Sequence, residues 1–440
     1  MHRTTRRRSL RTAAITTIAL AAAALTGCSA SGSGSDGKTF TIMQYEDPST
    51  AQGQGWKLAL EIFEKKHPDV DVEFQTTSFD GFRKNAKLVL GGNKVPDVVE
   101  FNKGNADGGQ LASQGLLENL DDAVEERGWD DKVTGSMQSF AKYDEQGKAG
   151  SGNWYGVPNV GEYVTFYYNK DKFQQAGITA EPKTMDEFTT ALQKLKDADI
   201  TPISSSAAVN QGFNQMWIWY SLVSAAADRE DIDDFMFLKG KVDFSKDPWK
   251  SGTRQFQEWI DEGYVGTDLG GLNFEQANVN FLSGKTGMLI WNNGVFARVK
   301  DQASFEWGSF TLPGANMTMG SSGHLWGVPA KAGNKELAYD WIDTTLSPEV
   351  QNEIGEQGGL PLAGDTASIS DPVTKAYTER FDEVVRDDTL TFYPDYPVPG
   401  FLDFIQNNMS AMSNGNETAD EYLSELQSFY DDGKKTVDQG

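Results

Sequence analysis

The sequence predicts an α/β protein of two or three domains, and three observations carry that prediction. The chain has 440 residues, more than a single domain usually holds. Apolar residues make up 38% and aromatics 11%, which is too aromatic for a disordered chain and enough for a sizeable core. The apolar spacing also switches repeatedly between the two-residue period of a strand and the 3.6-residue period of a helix. In alternation, such segments build a parallel sheet covered by helices.

Residues 39–45 read as the first strand. Trp56, Ala59, Leu60 and Phe63 then recur at helical spacing, and the helix they form should stop before Pro68. Val70, Val72 and Phe74 alternate with polar residues, the mark of a strand with one buried face. Residues 82–90 give a second helix and residues 95–101 a third strand, completing a parallel α/β lobe. Similar units recur later, with a helix over 186–196, a strand over 200–204 and a helix over 253–262. From residue 371 onward the chain reads as mostly helical, and there is no internal repeat.

The first thirty residues read as an address. Five arginines, Arg3, Arg6, Arg7, Arg8 and Arg11, precede an apolar run over 12–26. That run is too short to span a bilayer as a helix and has the length of a signal-peptide apolar region. It ends in Leu25-Thr26-Gly27-Cys28, which resembles the bacterial lipobox whose cysteine receives lipid. Cleavage before Cys28 would place the only cysteine of the chain at the new N-terminus. Acyl chains there would hold the protein to a membrane, at roughly 0.8 kcal/mol per buried CH₂. Thr5-Arg6-Arg7-Arg8-Ser9-Leu10-Arg11 also resembles a twin-arginine signal, so two export routes stay open. Residues 29–37 form a Ser/Gly tether. Gly32 to Thr39 matches the phosphate-loop pattern letter for letter. That loop works only between a buried strand and a helix, and here a leader precedes it and a strand follows.

Several function classes are excluded or left unsupported. With 39 Lys+Arg against 64 Asp+Glu the formal net charge is −25, the wrong sign for a surface that meets phosphate. One cysteine allows no intrachain disulfide and no Cys-based zinc cluster. The three histidines, at positions 2, 67 and 324, are too far apart in sequence to suggest a local metal site. There is no H-E-x-x-H and no G-x-S-x-G. Carboxylate pairs are easy to propose among 64 acids and carry little without geometry.

An ordered set of motifs carries a resemblance. Pro96-Asp97-Val98-Val99 is followed by Gly115-Leu116-Leu117-Glu118-Asn119-Leu120. Tyr155-Gly156-Val157-Pro158 leads to Tyr168-Asn169-Lys170, then Phe173 and Ala176-Gly177-Ile178, and Pro182-Lys183-Thr184-Met185-Asp186-Glu187-Phe188 continues the block. Phe281-Leu282-Ser283-Gly284-Lys285-Thr286-Gly287-Met288, Gly327-Val328-Pro329 and Gly358-Gly359-Leu360-Pro361 follow in order. Together these resemble the extracellular solute-binding proteins of bacterial sugar ABC importers, family 1, the maltose-binding-like class. The resemblance implies a two-lobed periplasmic-binding-protein-like fold with a hinge and discontinuous lobes. Residues 39–160 and 322–360 would form lobe 1, and residues 161–321 and 361–440 lobe 2. It further implies a lipoprotein on the outer face of the cell membrane that catalyses no reaction. Such a protein would need no cofactor or metal, would act as a monomer, and would deliver carbohydrate to permease subunits with their ATPase.

A sugar has weakly apolar ring faces and a rim of hydroxyls, so its site needs aromatic rings beside Asp, Glu, Asn or Gln. Charged acceptors make the stronger hydrogen bonds. Tyr45 and Glu46, flanked by Gln44 and Asp47, follow the first strand, where cleft residues are expected at carboxyl ends. The resemblance places polar ligands after the third strand, at Asn102, Asn105 or Asp107, and matches Glu162 to a carboxylate beside the hinge. Asn210, Asn214 and Trp217 follow the strand over 200–204. Trp291 and Asn293 come later, with Trp291 and Phe296 competing as the stacking platform. His324 and Trp326 lie at a lobe crossing, where the histidine is structural or liganding. Tyr393 and Tyr396 could add a wall or pack a Pro-rich loop. The expected ligand is an oligosaccharide. A non-sugar solute such as a polyamine on the same fold, or a secreted carbohydrate-active enzyme, are the alternatives.

Overall fold

The computed structural model describes residues 38–133, 135–206, 208, 212–266 and 271–439. The leader, Cys28, the tether and Asn210 lie outside the described residues. Lys38 and Thr39, the end of the phosphate-loop pattern, open a strand rather than a helix.

Two mixed sheets organise the chain. In the first, the strands run in the order Val70–Thr76, Lys38–Gln44, Val98–Phe101, Leu325–Gly327, Val157–Pro158. The first three are parallel, with Ile42 opposite both Phe74 and Val98. The last two are added through antiparallel pairings, with Trp326 opposite Glu100 and Val157. The parallel lobe read from the sequence is therefore extended by two strands joined through antiparallel pairings: Leu325–Gly327, more than 150 residues downstream, runs against the first three, and Val157–Pro158 runs with them again. The strand expected from residue 95 begins only at Val98. Pro96 has no N–H to give to a ladder, and the Asp97 carboxylate accepts the Thr41 N–H at 3.0 Å.

Helix Ala51–Lys66 covers this sheet. Thr50 caps it by accepting the Gly53 N–H at 3.0 Å, and it ends before Pro68 as the spacing predicts. Trp56, Ala59 and Phe63 form its buried stripe. Gly55 is needed for close approach, because a Cβ there would lie 2.4 Å from Ile354 Cγ1 on helix Pro348–Glu356.

The second sheet has the order Trp307–Phe310, Glu162–Asn169, Thr286–Asn292, Thr201–Ser204, and only the last pair is parallel. All eight residues of Glu162–Asn169 are buried, as a strand paired on both edges under helices requires. Phe213–Ala226, Trp249–Asp261 and the terminal helices Phe401–Ser413 and Ala419–Gln439 pack into its core. Phe404 stacks on Phe429 at 4.3 Å, and Trp219 meets Tyr422 edge to face at 5.5 Å. Phe140, early in the chain, also packs here, against Phe237, Phe392 and Tyr396 at 4.8–5.2 Å.

Three segments cross between the two cores side by side. Val160 belongs to the first core and Tyr163 to a core beside the second sheet. Met319 and Leu325 bracket the next crossing, Ile354 and Leu360 the last. They are bonded to one another: Gly161 pairs with Leu360, Ser321 with Glu162, and the Asn159 N–H reaches His324 O at 3.2 Å. Three adjacent strand-like crossings therefore join the two cores, the arrangement expected of a hinge. Among the described residues no helix is long and apolar enough to cross a membrane.

Candidate functional site

The site is assembled from chain ends that stop at the hinge. Strand Val98–Phe101 delivers Asn102, Glu162 opens its own strand, Trp291 and Asn292 end Thr286–Asn292, and His324 precedes Leu325–Gly327. Helix Phe79–Gly91 starts at the same level because Ser78 caps it, accepting the Gly81 N–H at 3.1 Å, which sets Phe79 and Asp80 in its first turn. Across the gap, Phe213, Met216 and Trp217 come from the first turns of Phe213–Ala226. Phe274 begins helix Phe274–Leu282. The C-terminal region adds Tyr393, Asp395, Tyr396 and Leu402. Together these residues enclose a cavity of about 450 Å³, within the roughly 300–1,000 Å³ of small-molecule sites.

One wall is aromatic. Trp217 and Trp291 meet edge to face at 4.8 Å, and Trp291 stacks on Phe274 at 5.6 Å. Phe213 closes the ring, 5.9 Å from Phe274 and 6.0 Å from Trp217. Four rings that brace one another present fixed faces, so little side-chain entropy is lost when a ligand settles on them.

The other wall is polar. The Asn102 amide donates to Asp107 at 2.7 Å. Burial lifts Asp107 to about 6, against the opposing pull of Arg83 and that amide. Glu162 lies 3.8 Å from the ammonium of Lys103, which is fully buried, has no hydrogen-bond partner, and sits 5.3 Å from the centre of the Tyr396 ring. Burial pulls the Lys103 ammonium below its ordinary value, while Glu162 and Asp395 oppose that shift. Burial also raises Asp395. The loop bearing Lys103 can lie this close to Tyr396 because Gly104 has φ +90°, and a Cβ there would be 2.6 Å from Tyr396 Cβ.

Behind His324 stands a second polar group. Its Nδ1 is 3.0 Å from Glu46 Oε1, and Tyr45 packs edge-on against the imidazole at 4.8 Å. Glu100 accepts the Asn159 amide at 2.6 Å. Burial, reinforced by neighbouring Glu46, raises Glu100 well above the usual carboxylate range. Among the described residues, Glu46, Glu100 and His324 are the group that could hold a metal, their ligand atoms lying within 4.8 Å of one another.

Of the residues singled out from sequence, Asn102, Glu162, Trp217, Trp291 and His324 are brought together in the cavity wall. Tyr45, Glu46 and Asp107 stand behind it, each against a wall residue. The structure does not bring the other four there. Asn105 is buried, donates to Met236 O and Pro397 O, and accepts the Ala149 N–H. Asn214 is buried, donates to Ile290 O and accepts from Ser206. Asn293 is buried against Gly161 O. Trp326 sits in the first core between Trp56 and Trp341, at 5.3 and 5.5 Å. Phe296 packs on Tyr377 and Trp307, away from the cavity that Trp291 lines.

Tyr393 and Tyr396 do form a wall. Phe79, Asp80, Phe213, Met216, Phe274, Asp395 and Leu402 were missed. The capping signals Ser78 and Asn273 mark helix starts at the cleft and could have pointed to the first-turn residues.

Two α/β lobes joined by three crossings, with one lined cavity, are the architecture of a solute-binding protein. The family profile of the bacterial extracellular solute-binding proteins matches residues 47–352, and the chain belongs to that family. A 212-residue match, 28% identical, relates it to a probable sugar-binding periplasmic protein of Rhizobium meliloti (strain 1021). That match covers 46% of this chain and 47% of the relative, so the chain spans about half the length of that protein. The diacetylchitobiose binding protein DasA of Streptomyces coelicolor is 25% identical over 343 residues, 74% of this chain and 73% of that one. The solved structure of a chitin oligosaccharide binding protein superposes with a TM-score of 0.78 at 23% identity, covering 91% of this chain and all of that chain, which shows the fold.

Proposed function

We propose that this chain is the substrate-binding component of an ABC importer, capturing a carbohydrate of oligosaccharide size between its lobes and delivering it to a permease with its ATPase. The observation that carries this reading is one cavity lined both by four mutually braced aromatic rings and by Asn102, Glu162, Asp395 and His324. Sugar ring faces suit the first wall and sugar hydroxyls the second. Relatives named for sugars, diacetylchitobiose among them, support it. A ligand touching both walls binds the closed form better than the open one, and that difference drives closure. No residue is assigned a catalytic role in this reading. Lipid on Cys28 would hold the protein as a monomer at the outer face of the membrane. A polyamine is the second reading, favoured by the three carboxylates Asp80, Glu162 and Asp395 beside the rings.

Thermal unfolding against a panel of mono- and oligosaccharides tests the proposal. Ligand at about a thousand times its Kd adds roughly 4 kcal/mol, which raises the midpoint by several degrees. A rise with one sugar class, and the sugar recovered intact, supports it. A rise with polyamines alone overturns the carbohydrate assignment, and disappearance of the sugar would establish an enzyme.

A further inference from the structure

We propose that the cavity rejects anionic solutes and selects a neutral or amino-bearing carbohydrate over one carrying carboxylate or phosphate. This rests on the carbohydrate reading and adds the charge of the ligand. The acids in the wall are Asp80, Glu162 and Asp395, beside the imidazole of His324, and among the described residues no Lys or Arg lines it.

The cations beside the cavity already have partners. Lys103 is fully buried, 3.8 Å from Glu162 and over the Tyr396 ring, so it answers a carboxylate already in the wall. Arg83 lies between Asp107 at 4.0 Å and Asp403 at 3.7 Å. His324 turns Nδ1 to Glu46. Even with Glu162 matched by Lys103, the carboxyl groups of Asp80 and Asp395 remain in the wall without a lining cation among the described residues.

An entering carboxylate or phosphate would therefore sit beside acids, and among the described residues no Lys or Arg lines the cavity to receive it. For the buried Glu162 and Asp395 salt screens that repulsion less than it does for an exposed pair. An amine meets the opposite arrangement. Carboxylate oxygens accept its hydrogens, and the faces of Trp217, Tyr393 and Tyr396 attract its charge. Burial already raises Asp395, a shift that an incoming ammonium would relieve and an incoming anion would worsen.

The test takes each neutral oligosaccharide that raises the unfolding midpoint, with its C6-carboxylate and its amino-substituted counterpart. Dissociation constants are measured by titration calorimetry on the wild-type protein at about 0.15 M salt. The carboxylate form is expected to bind at least about tenfold more weakly than the neutral form, and the amine equally or more tightly. In Asp80→Asn and Asp395→Asn the gap between neutral and carboxylate forms should narrow. Equal or tighter binding of the carboxylate by the wild type overturns the charge selection while leaving the carbohydrate reading intact. If no neutral sugar shifts the midpoint, the carbohydrate reading falls first and this inference with it.

Discussion

The indole of Trp217 stands edge-on to that of Trp291, ring centres 4.8 Å apart and planes at 75°. One side chain comes from the second turn of a helix and the other from the end of a strand 74 residues later. Neither ring can turn without moving the other, and Phe213 and Phe274 hold the pair from the outer side.

Trp291 is half-buried at the cavity, whereas Trp326 is wholly buried in the first core. Trp291→Ala should weaken the ligand at least about tenfold, or about 1.4 kcal/mol, with the smaller change in unfolding midpoint. Trp326→Ala should lose about 3–5 kcal/mol of stability while the folded protein keeps its affinity. Calorimetry and thermal unfolding of both variants separate the two roles.

Asn105 ties the loop after strand Val98–Phe101 to Met236, Pro397 and Ala149. Its removal leaves buried carbonyls and an N–H without partners, at about 1–3 kcal/mol for each group. Asn105→Ala should therefore lower the urea midpoint clearly, while Asn102→Ala, at the cavity wall, should act chiefly on binding.

Arg83 and Asp403 lie 3.7 Å apart, on helices that pack into different cores. Asp403 is about half exposed, so the pair is worth at most about 1 kcal/mol. Asp403→Asn should weaken the ligand no more than about fivefold, and the difference from wild type should fade as salt rises. A salt-independent difference would show that the pair does not assist closure.

Glu417, in the turn between the last two helices, is buried with neither carboxylate oxygen hydrogen-bonded. Burial, aided by Glu425 and Glu421, lifts it from 4.5 to about 7. The folded state then holds this proton more tightly than the unfolded one. Its contribution is most favourable below about pH 4.5 and is lost as pH rises toward and through 7. Glu417→Gln should remove that slope, so its stability advantage over wild type should grow between about pH 5 and 7 and level off above. Urea midpoints across that range give the comparison.

Much of the local structure was legible in the spacing of residues. Val70, Val72 and Phe74 alternate with exposed residues as the sequence predicts, and Trp56, Ala59 and Phe63 line the buried face of a helix that stops before Pro68. The two strands added to the first sheet were not legible. Their partners are far away in sequence, and no local period encodes a distant edge.

The candidate site divides along the same line. Of the residues that the resemblance and the strand ends pointed to, Asn102, Glu162 and Trp291 line the cavity, while the amides Asn105, Asn214 and Asn293 do not. An amide side chain bonds a ligand or a backbone carbonyl equally well, so only the position of the carbonyl decides. The order of many elements and their amphipathic faces followed from sequence alone, because burial of apolar faces is a local demand. Which of those residues meet was decided by tertiary structure, where the paired crossings join the two cores and bring Phe79, Asp80, Phe213 and Phe274 to one cavity.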